Sequence, residues 1–375
     1  MLITAAVGRA PREPLAIEQL TLREPGPDEV LVAIDAVAIC HSDLSFIDGD
    51  WSSNLPAVWG HEAAGRIVTV GETTADDVPQ PGTPVVVHLI RHCGNCRACR
   101  RGHPVSCRAR TPLDDTSPLR DADGIPVTHG LRTAAFADHV LVHRSQVVAV
   151  PDLAPDLACL LACGVITGVG AVRNSAQVAA GESVCVVGCG GVGLNAVIGA
   201  RLAGASAIIA VDPDPDKRAG ALAFGAHHAL DPTAVDVAHE LSHLLGEPGA
   251  DHVIVATGAP SAHTGALTLA APSGAVTIVG MPADGVTQEI APGDLAGADQ
   301  RIIGSKMGGA VPECDIVELA YAHNTGEFDL DALVTHRYPF AEINTAIDDV
   351  RRGATRRSVV LIEHSTSVTP EGHEQ

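Results

Sequence analysis

The chain has 375 residues, of which 46% are hydrophobic and 18% are charged, a composition that indicates a globular protein of about two domains. Its formal net charge of −21 argues against binding to nucleic acid or to anionic membranes, because both attract basic proteins. The sequence has no long apolar run and no pattern of a secretion signal, and ten cysteines beside a metal-binding pattern fit a reducing cytoplasm.

The first 150 residues contain short β-rich runs that are separated by turn residues. Clear examples are residues 29–39, 65–71 and 83–90. Short strands without long helices predict an antiparallel, barrel-like domain in this part of the chain.

A run of four cysteines follows these strands. They are Cys93, Cys96, Cys99 and Cys107. This C-x2-C-x2-C-x7-C spacing suits a tetrahedral zinc ion whose closed sulfur shell leaves no site for substrate. An iron–sulfur cluster is the alternative, but the ferredoxin run places its fourth cysteine sooner and follows it with proline, whereas Arg108 follows here. Disulfides are disfavoured in a cytosolic chain. The spacing therefore predicts a structural zinc lobe at residues 91–110.

Arginines crowd the same segment. They are Arg91, Arg97, Arg100, Arg101, Arg108 and Arg110. Four thiolates around one Zn²⁺ carry a net negative charge, and neighbouring cations lower the electrostatic cost of such a cluster. A solvated basic loop is a compatible interpretation.

Beyond Pro151 the pattern changes to wholly apolar strands alternating with alanine-rich segments of helix length. The apolar strands are expected at 183–187, 207–211, 252–256 and 275–279. This alternation predicts βαβ units and a parallel sheet that is buried on both faces. Residues 311–326 are expected to form a helix, and residues 338–362 a strand, a helix and a strand.

A glycine-rich turn follows the first of these apolar strands. Its glycines are Gly188, Gly190, Gly191 and Gly193. The G-x-G-x-x-G pattern between a strand and a helix is typical of a turn that lets a pyrophosphate approach the helix N-terminus. Asp212 ends the next strand, where a carboxylate can accept both adenosine-ribose hydroxyls and repel a 2′-phosphate. NAD(H) is therefore favoured over NADP(H), although Lys217 and Arg218 lie close and soften that preference.

Three further segments carry metal-ligand residue types: CHSD at 40–43, GHE at 60–62 and CGVITG at 163–168. Each alone has an ordinary structural interpretation, since a cysteine in an apolar run is usually a small core residue. Together with the four-cysteine lobe and the dinucleotide pattern, they resemble the zinc-dependent medium-chain alcohol dehydrogenase family. The resemblance covers nearly the whole chain.

The resemblance implies a second, catalytic zinc ion held by Cys40, His61 and Cys163, with an open fourth position. It places Glu62 behind that zinc as an occasional ligand, and it makes Asp43 the carboxylate that orients the ligand histidine.

The resemblance also assigns a hydroxyl and a set of cofactor contacts. Ser42 matches the hydroxyl that hydrogen-bonds the substrate oxygen and begins proton release, and His41 occupies a pyrophosphate position. The other implied cofactor contacts are Thr167, Val192 and the backbone around Val279 to Met281 at the nicotinamide, Arg357 at the pyrophosphate, and Lys217. One departure is Ser45, which stands where many relatives have a proton-accepting histidine, so that the last proton step must use water, His41 or another group. Trp51 resembles a bulky pocket-lining position, and Leu89, Met281 and Met307 are further pocket candidates.

The implied architecture is α/β, with a GroES-like β-rich catalytic domain at residues 1–163 and 308–375 and a Rossmann doubly wound domain at 164–307. The implied activity is an NAD-dependent oxidoreductase of alcohols and aldehydes with two zinc ions per chain. A formaldehyde dehydrogenase acting on a thiol adduct is the alternative within the family, and a noncatalytic NAD-binding protein is the alternative outside it. Relatives pair the sheet edge that matches 301–305 across a two-fold axis, which predicts a homodimer or homotetramer.

Overall fold

The computed structural model of the chain describes residues 1–364, so that residues 365–375 of the predicted segment 308–375 lie outside the described part. Its strands are β1 (Leu2–Gly8), β2 (Ala16–Leu22), β3 (Glu29–Ala38), β4 (Ala57–Val58), β5 (Glu62–Val70), β6 (Pro84–Val87), β7 (Leu119–Arg120), β8 (Pro126–His129), β9 (His139–His143), β10 (Val147–Ala149), β11 (Ser183–Val187), β12 (Ala207–Val211), β13 (His228–Leu230), β14 (Ala250–Val255), β15 (Ala270–Ile278), β16 (Arg301–Gly304), β17 (Val334–Pro339) and β18 (Arg357–Leu361). Its α-helices are α1 (His41–Ile47), α2 (Arg97–Arg100), α3 (Pro112–Asp115), α4 (Pro155–Ala158), α5 (Gly164–Gly170), α6 (Gly191–Leu202), α7 (Pro215–Ala223), α8 (Val237–Leu245), α9 (Pro260–Gly265), α10 (Pro292–Gly297), α11 (Pro312–Asn324) and α12 (Ile343–Arg351).

The first part of the chain is β-rich, as predicted. Five strands close a barrel in the order β1-β2-β7-β8-β4, and a seven-stranded sheet runs β10-β6-β5-β3-β18-β17 with β9 paired to β3. Most of these pairs are antiparallel, and β4–β8 and β17–β18 are parallel. Because Val360 of β18 pairs with Val37 of β3, a strand from the far end of the described residues completes a sheet whose other members, apart from β17, come from the first 150 residues.

The second part is a six-stranded parallel sheet in the order β13-β12-β11-β14-β15-β16. All five residues of β11 are buried, as expected for a strand covered on both faces. The strand order reverses direction next to β11, and an open α/β sheet binds ligands in the crevice at the carboxyl ends of strands at such a point. The prediction of a doubly wound parallel sheet is confirmed.

The helices follow local capping rules. The Asp214 side chain accepts hydrogen bonds from the backbone at the start of α7, and Asp236 does the same for α8, which satisfies amides that have no partner within the helix. The predicted helix at 311–326 is α11, and the predicted strand, helix and strand at 338–362 are β17, α12 and β18. The predicted domain division, with its boundaries at residues 163–164 and 307–308, stays a prediction.

No single helix within residues 1–364 has the length and apolar composition needed to cross a membrane. The helical stretches Pro155–Ala162 and Gly164–Ala176 meet those two requirements only as a pair, bent by 48° at the break between them.

Candidate metal centres and nucleotide cleft

The four cysteines of the predicted structural zinc lobe converge. Their ligand atoms all lie within 4.8 Å of one another. The Sγ–Sγ distances are 3.4 Å for Cys96–Cys99, 3.8 Å for Cys96–Cys107 and 3.7 Å for Cys93–Cys107. A tetrahedron with Zn–S bonds of ~2.3 Å has edges of ~3.8 Å, so the four sulfurs fit a zinc ion. The Cys99 amide, directed at the Cys96 sulfur, lowers the pKa of the Cys96 thiol and so favours the thiolate that a metal requires.

A buried arginine ties this lobe to the rest of the β-rich part. Arg91 donates from Nε to Gln146 at 2.9 Å and lies 3.1 Å from Asp114 through Nη1. Its Nη2 donates to the Arg132 carbonyl at 3.0 Å. Sequence reasoning gave Arg91 only the general role of a cation near the thiolates, whereas its guanidinium is paired with Asp114. At the other side of the lobe, His92 contacts Glu313 at the start of α11.

The second cluster brings Cys40, His61, Glu62 and Cys163 together. Their ligand atoms lie within 4.8 Å of one another and all four residues are buried. Cys40 directly precedes α1, His61 lies between β4 and β5, and Cys163 directly precedes α5. Within residues 1–364, His61 Nε2 and Glu62 Oε1 have no hydrogen-bond partner. Buried polar atoms normally have partners, so these two atoms and the sulfur-rich donor set fit a metal ion held there.

Asp43 fixes the orientation of His61. Its Oδ1 lies 3.0 Å from His61 Nδ1 and accepts the Gly60 amide at 2.9 Å, while Oδ2 accepts the Cys40 amide at 3.0 Å. Burial alone would lower the pKa of His61, but the Asp43 carboxylate and the Cys40 thiol raise it to about 10. With Nδ1 held by Asp43, the free nitrogen Nε2 faces the cluster, which is the arrangement that a metal-binding histidine needs.

The turn that carries His61 requires glycine. Gly60 has φ +89°, and a Cβ at this position would lie 2.6 Å from the Phe136 amide nitrogen. The backbone before His61 therefore packs directly against the segment that follows β8, which fixes where the imidazole enters the cluster.

Arg357 connects the second cluster to the glycine turn. Its guanidinium contacts the Glu62 carboxylate, and both side chains are buried. A Cβ on Gly191 would lie 3.0 Å from Arg357 Nη1, and a Cβ on Gly164 would lie 2.7 Å from the same atom. Arg357 therefore lies between the predicted catalytic metal site and the predicted pyrophosphate site.

The glycine turn has the open and crowded positions that a dinucleotide requires. Gly188 has φ +89°, and a Cβ on Gly193 would lie 1.8 Å from the Gly188 carbonyl oxygen. A Cβ on Gly190 would meet nothing within 4 Å. The turn thus packs closely on its inner side, while its outer side is open to a ligand at the start of α6.

Cations surround the mouth of this turn. The His41 side chain is exposed, and its pKa is lowered by partial desolvation among neighbouring protein atoms and by the positive charges of Lys217 and Arg357. Lys217, Arg357 and the N-terminus of α6 therefore supply positive charge on one side of the cleft, where a pyrophosphate carries its negative charge.

Asp212 is held rigidly at the end of β12. Its Oδ2 accepts the Cys189 amide at 2.8 Å and its Oδ1 accepts the Asp214 amide at 2.9 Å. The positive charge of Arg218 was expected to weaken the preference for NAD(H). Its guanidinium lies 3.2 Å from the Asp231 carboxylate and donates to the Asp212 carbonyl at 2.7 Å. The positive charge of Arg218 is thus partly neutralised by Asp231.

Met307 and Thr167 complete the surroundings of Cys163. Met307 Sδ lies 3.6 Å from Cys163 Sγ and 3.5 Å from Thr167 Oγ1. The sequence offered Met307 only as a pocket candidate, and the structure places it, buried, beside a predicted metal ligand. Met281, the other methionine candidate, is 67% exposed on the loop after β15. Ser42 is half-buried at the start of α1.

Comparison with known proteins identifies the family. Residues 26–152 match the family model of the alcohol dehydrogenase GroES-like domain, and residues 191–320 match that of zinc-binding dehydrogenases. The chain is 35% identical over 367 residues to geraniol dehydrogenase of Castellaniella defragrans, covering 95% of this chain and 97% of that protein. The chain belongs to the zinc-dependent medium-chain alcohol dehydrogenase family.

Two further members of the family have names that give different substrates. The S-(hydroxymethyl)glutathione dehydrogenase of Paracoccus denitrificans is 32% identical over 373 residues, covering 95% of this chain and 99% of that protein. The crystal structure of benzyl alcohol dehydrogenase from Acinetobacter calcoaceticus superposes with a TM-score of 0.89 at 31% identity, covering 97% of this chain and 100% of that one. The fold of this alcohol dehydrogenase is therefore the predicted one, a GroES-like part joined to a Rossmann part.

We expect Cys99→Ser to remove one zinc ion per chain and to lower the melting temperature. A structural zinc contributes directly to folding free energy, and each kcal/mol lost lowers the melting temperature of a domain of this size by roughly 2–4 °C. Metal analysis combined with calorimetry measures both effects. Cys314→Ser is the matched control, because Cys314 is exposed and lies outside both clusters. Full zinc content with unchanged melting in Cys99→Ser would contradict the assignment of this lobe.

Proposed function

We propose that this zinc-dependent alcohol dehydrogenase transfers a hydride between a small alcohol or aldehyde and NAD(H), with two zinc ions per chain. The observation that carries the proposal is the buried cluster of Cys40, His61, Glu62 and Cys163, joined through Arg357 to the glycine turn. A metal site and a dinucleotide cleft that share a residue suit a reaction in which substrate and cofactor must meet.

The bound groups would supply the reactive chemistry. A catalytic zinc acts as a Lewis acid that makes an alcohol hydroxyl more acidic and polarises a carbonyl, and the nicotinamide carries the hydride. The chain supplies position and charge: Asp43 orients His61, and Arg357 neutralises Glu62.

Ser42 is the hydroxyl that we assign to the first proton transfer. It lies at the start of α1, two residues after Cys40 and directly before Asp43, so the same turn positions a metal ligand, a hydroxyl and the carboxylate that orients His61. In alcohol oxidation the Ser42 oxygen accepts the proton of the substrate hydroxyl and passes its own proton outward. Ser45 cannot complete that transfer as a base at neutral pH, so water or His41 takes the proton onward.

The proposal is tested by zinc analysis and by activity on a panel of alcohols and aldehydes with NAD⁺ or NADH. We expect two zinc ions per chain and turnover with NAD(H). The same panel with glutathione or another low-molecular-weight thiol tests the thiol-adduct alternative, which the glutathione-specific relative favours. Oxidation of formaldehyde only when a thiol is present would favour that alternative, and one zinc ion per chain without turnover would favour a noncatalytic protein.

We expect Asp212→Ala to narrow the preference for NAD over NADP. The change removes an acceptor for the ribose hydroxyls and the repulsion of a 2′-phosphate. Hydrogen bonds to a charged group contribute about 1.5–3 kcal/mol, so the KM for NAD is expected to rise roughly 10–100-fold. Steady-state kinetics with both cofactors measure the change, and Asp216→Ala, an exposed carboxylate on α7, is the control. An unchanged cofactor ratio would mean that discrimination lies elsewhere.

A homodimer or a dimer of dimers is part of the proposal. The strand β16 forms one edge of the six-stranded sheet and pairs on one side with β15, so its outer backbone groups are available to a second copy. Light scattering is expected to give a mass of at least twice the chain mass at micromolar concentration, and a monomer would contradict this assembly. A reducing, cytoplasmic location is likewise proposed, since none of the ten cysteines, all of which lie within residues 1–364, forms a disulfide.

A further inference from the structure

Trp51 spans the cleft between the metal-binding part and the parallel sheet. Its indole Nε1 donates a hydrogen bond to the Pro282 carbonyl at 3.1 Å. The neighbouring Asp50 carbonyl lies 3.5 Å from the Asp284 amide, so two adjacent contacts join the same pair of segments. Residues 50–51 follow α1, and residues 282–284 follow β15.

The indole is fixed relative to the second metal cluster. The Trp51 amide donates to the Ser45 carbonyl at 3.0 Å, and its ring packs edge-to-face on Phe46 with centroids 5.3 Å apart. Both partners belong to α1, which begins directly after Cys40 and carries Ser42. A change in the position of Trp51 therefore requires a change at the end of the helix that carries the candidate catalytic hydroxyl.

The loop on the other side of the cleft is equally constrained. The Gly280 amide donates to the Val255 carbonyl at 2.8 Å, and a Cβ on Gly280 would lie 2.3 Å from the Thr257 carbonyl oxygen. A Cβ on Gly258 would lie 2.5 Å from the Met281 carbonyl oxygen. The loops after β14 and β15 are therefore packed backbone against backbone, and Pro282 follows directly on the positions proposed to contact the nicotinamide.

We infer that Trp51 is a positioning residue. Its indole N–H, through the hydrogen bond to Pro282 that we call the latch, holds the nicotinamide-binding loop after β15 close to α1, the helix that follows Cys40. The Trp51–Pro282 hydrogen bond forms only while the two walls of the cleft are this close. When the walls separate, both groups form hydrogen bonds to water instead. The latch thus stabilises the arrangement in which the cofactor is enclosed. The inference rests on the proposed function, because the latch acts on the bound nicotinamide cofactor.

The test is Trp51→Phe, which keeps an aromatic ring against Phe46 and removes the N–H donor. Loss of one hydrogen bond from the enclosed state is expected to weaken NADH binding about fivefold, mainly through faster dissociation. Zinc content is expected to stay at the wild-type value. The KM for NAD should rise together with the NADH dissociation rate. Stopped-flow displacement of NADH and steady-state kinetics measure these quantities.

Trp59→Phe is the matched control. Trp59 is the only other tryptophan of the chain, and its buried indole nitrogen has no hydrogen-bond partner among residues 1–364. Replacement of Trp59 should leave the NADH dissociation rate unchanged. It also leaves Trp51 as the only tryptophan of the chain, so that indole fluorescence reports on Trp51 alone. An unchanged dissociation rate in Trp51→Phe, with wild-type zinc content, would overturn the latch. Failure of the wild-type protein to bind NADH would overturn the proposed function itself.

Discussion

Replacement of Cys163 by alanine is expected to abolish turnover and to remove one of the two zinc ions. Cys163 contributes a buried sulfur to the second cluster, and a zinc site with three protein ligands loses a third of its protein donors with this change. The sulfurs of the lobe at 91–110 belong to a separate cluster and should retain their ion. NADH binding is expected to persist, because Asp212 is held by the backbone amides of Cys189 and Asp214 and not by the residues of this cluster.

Cys159→Ala is a close control for this experiment. Cys159 lies four positions earlier in the chain, is fully buried and directs its sulfur towards the Asp156 carbonyl oxygen. Its replacement creates a similar small cavity in the same core but should leave both zinc ions and the activity in place. Turnover by a metal-free preparation of Cys163→Ala would refute a metal-dependent mechanism.

Replacement of Ser42 by alanine is expected to lower kcat by roughly 10²–10⁴-fold, the range associated with a positioned proton-transfer group. The change removes one hydroxyl from the start of α1 without touching Cys40, Asp43 or His61. The zinc content and the affinity for NADH should therefore match those of the wild type. A pH profile of kcat distinguishes loss of proton transfer from general damage to the site.

Two companion variants sharpen the test of Ser42. Ser42→Thr keeps the hydroxyl and should retain most of the activity, and Ser45→Ala, one turn further along α1, should change kcat little. Ser45→His is expected to raise the rate of alcohol oxidation near neutral pH if proton exit limits turnover, with a smaller solvent isotope effect. Nearly full activity of Ser42→Ala across the pH range would mean that the proton leaves by another route.

The sequence predicted best the features that depend on local spacing. The strands expected at 183–187 and 207–211 are β11 and β12 to the residue, because wholly apolar runs between turn signals allow few other structures. The sulfurs of Cys93, Cys96, Cys99 and Cys107 converge because the intervening turns are short. The prediction of an antiparallel, barrel-like first part was right in type, although the two-residue strands β4 and β7 are too short for any periodic signal.

The features that the sequence did not reveal are contacts between distant segments. The Trp51–Pro282 hydrogen bond joins residues 231 positions apart, and the Arg357–Glu62 pair joins residues 295 positions apart. The burial of Arg91 against Asp114 likewise depends on how the lobe docks on its neighbours. Nothing in the local composition distinguishes these side chains from others of their type, because tertiary packing alone selects their partners.

The position of β18 has a consequence for how the protein is made. As the ribosome releases the chain, β3 emerges long before β18, with which it pairs through Val37 and Val360. Until then residues 36–38 of β3 lack a neighbour on one side, although β9 pairs with residues 29–33, and the buried carboxylate of Glu62 lacks the guanidinium of Arg357. A nascent chain that stops before residue 357 should therefore be held by chaperones or degraded rather than accumulate as a partly active enzyme. We therefore expect enzymatic competence only in chains that extend through β18.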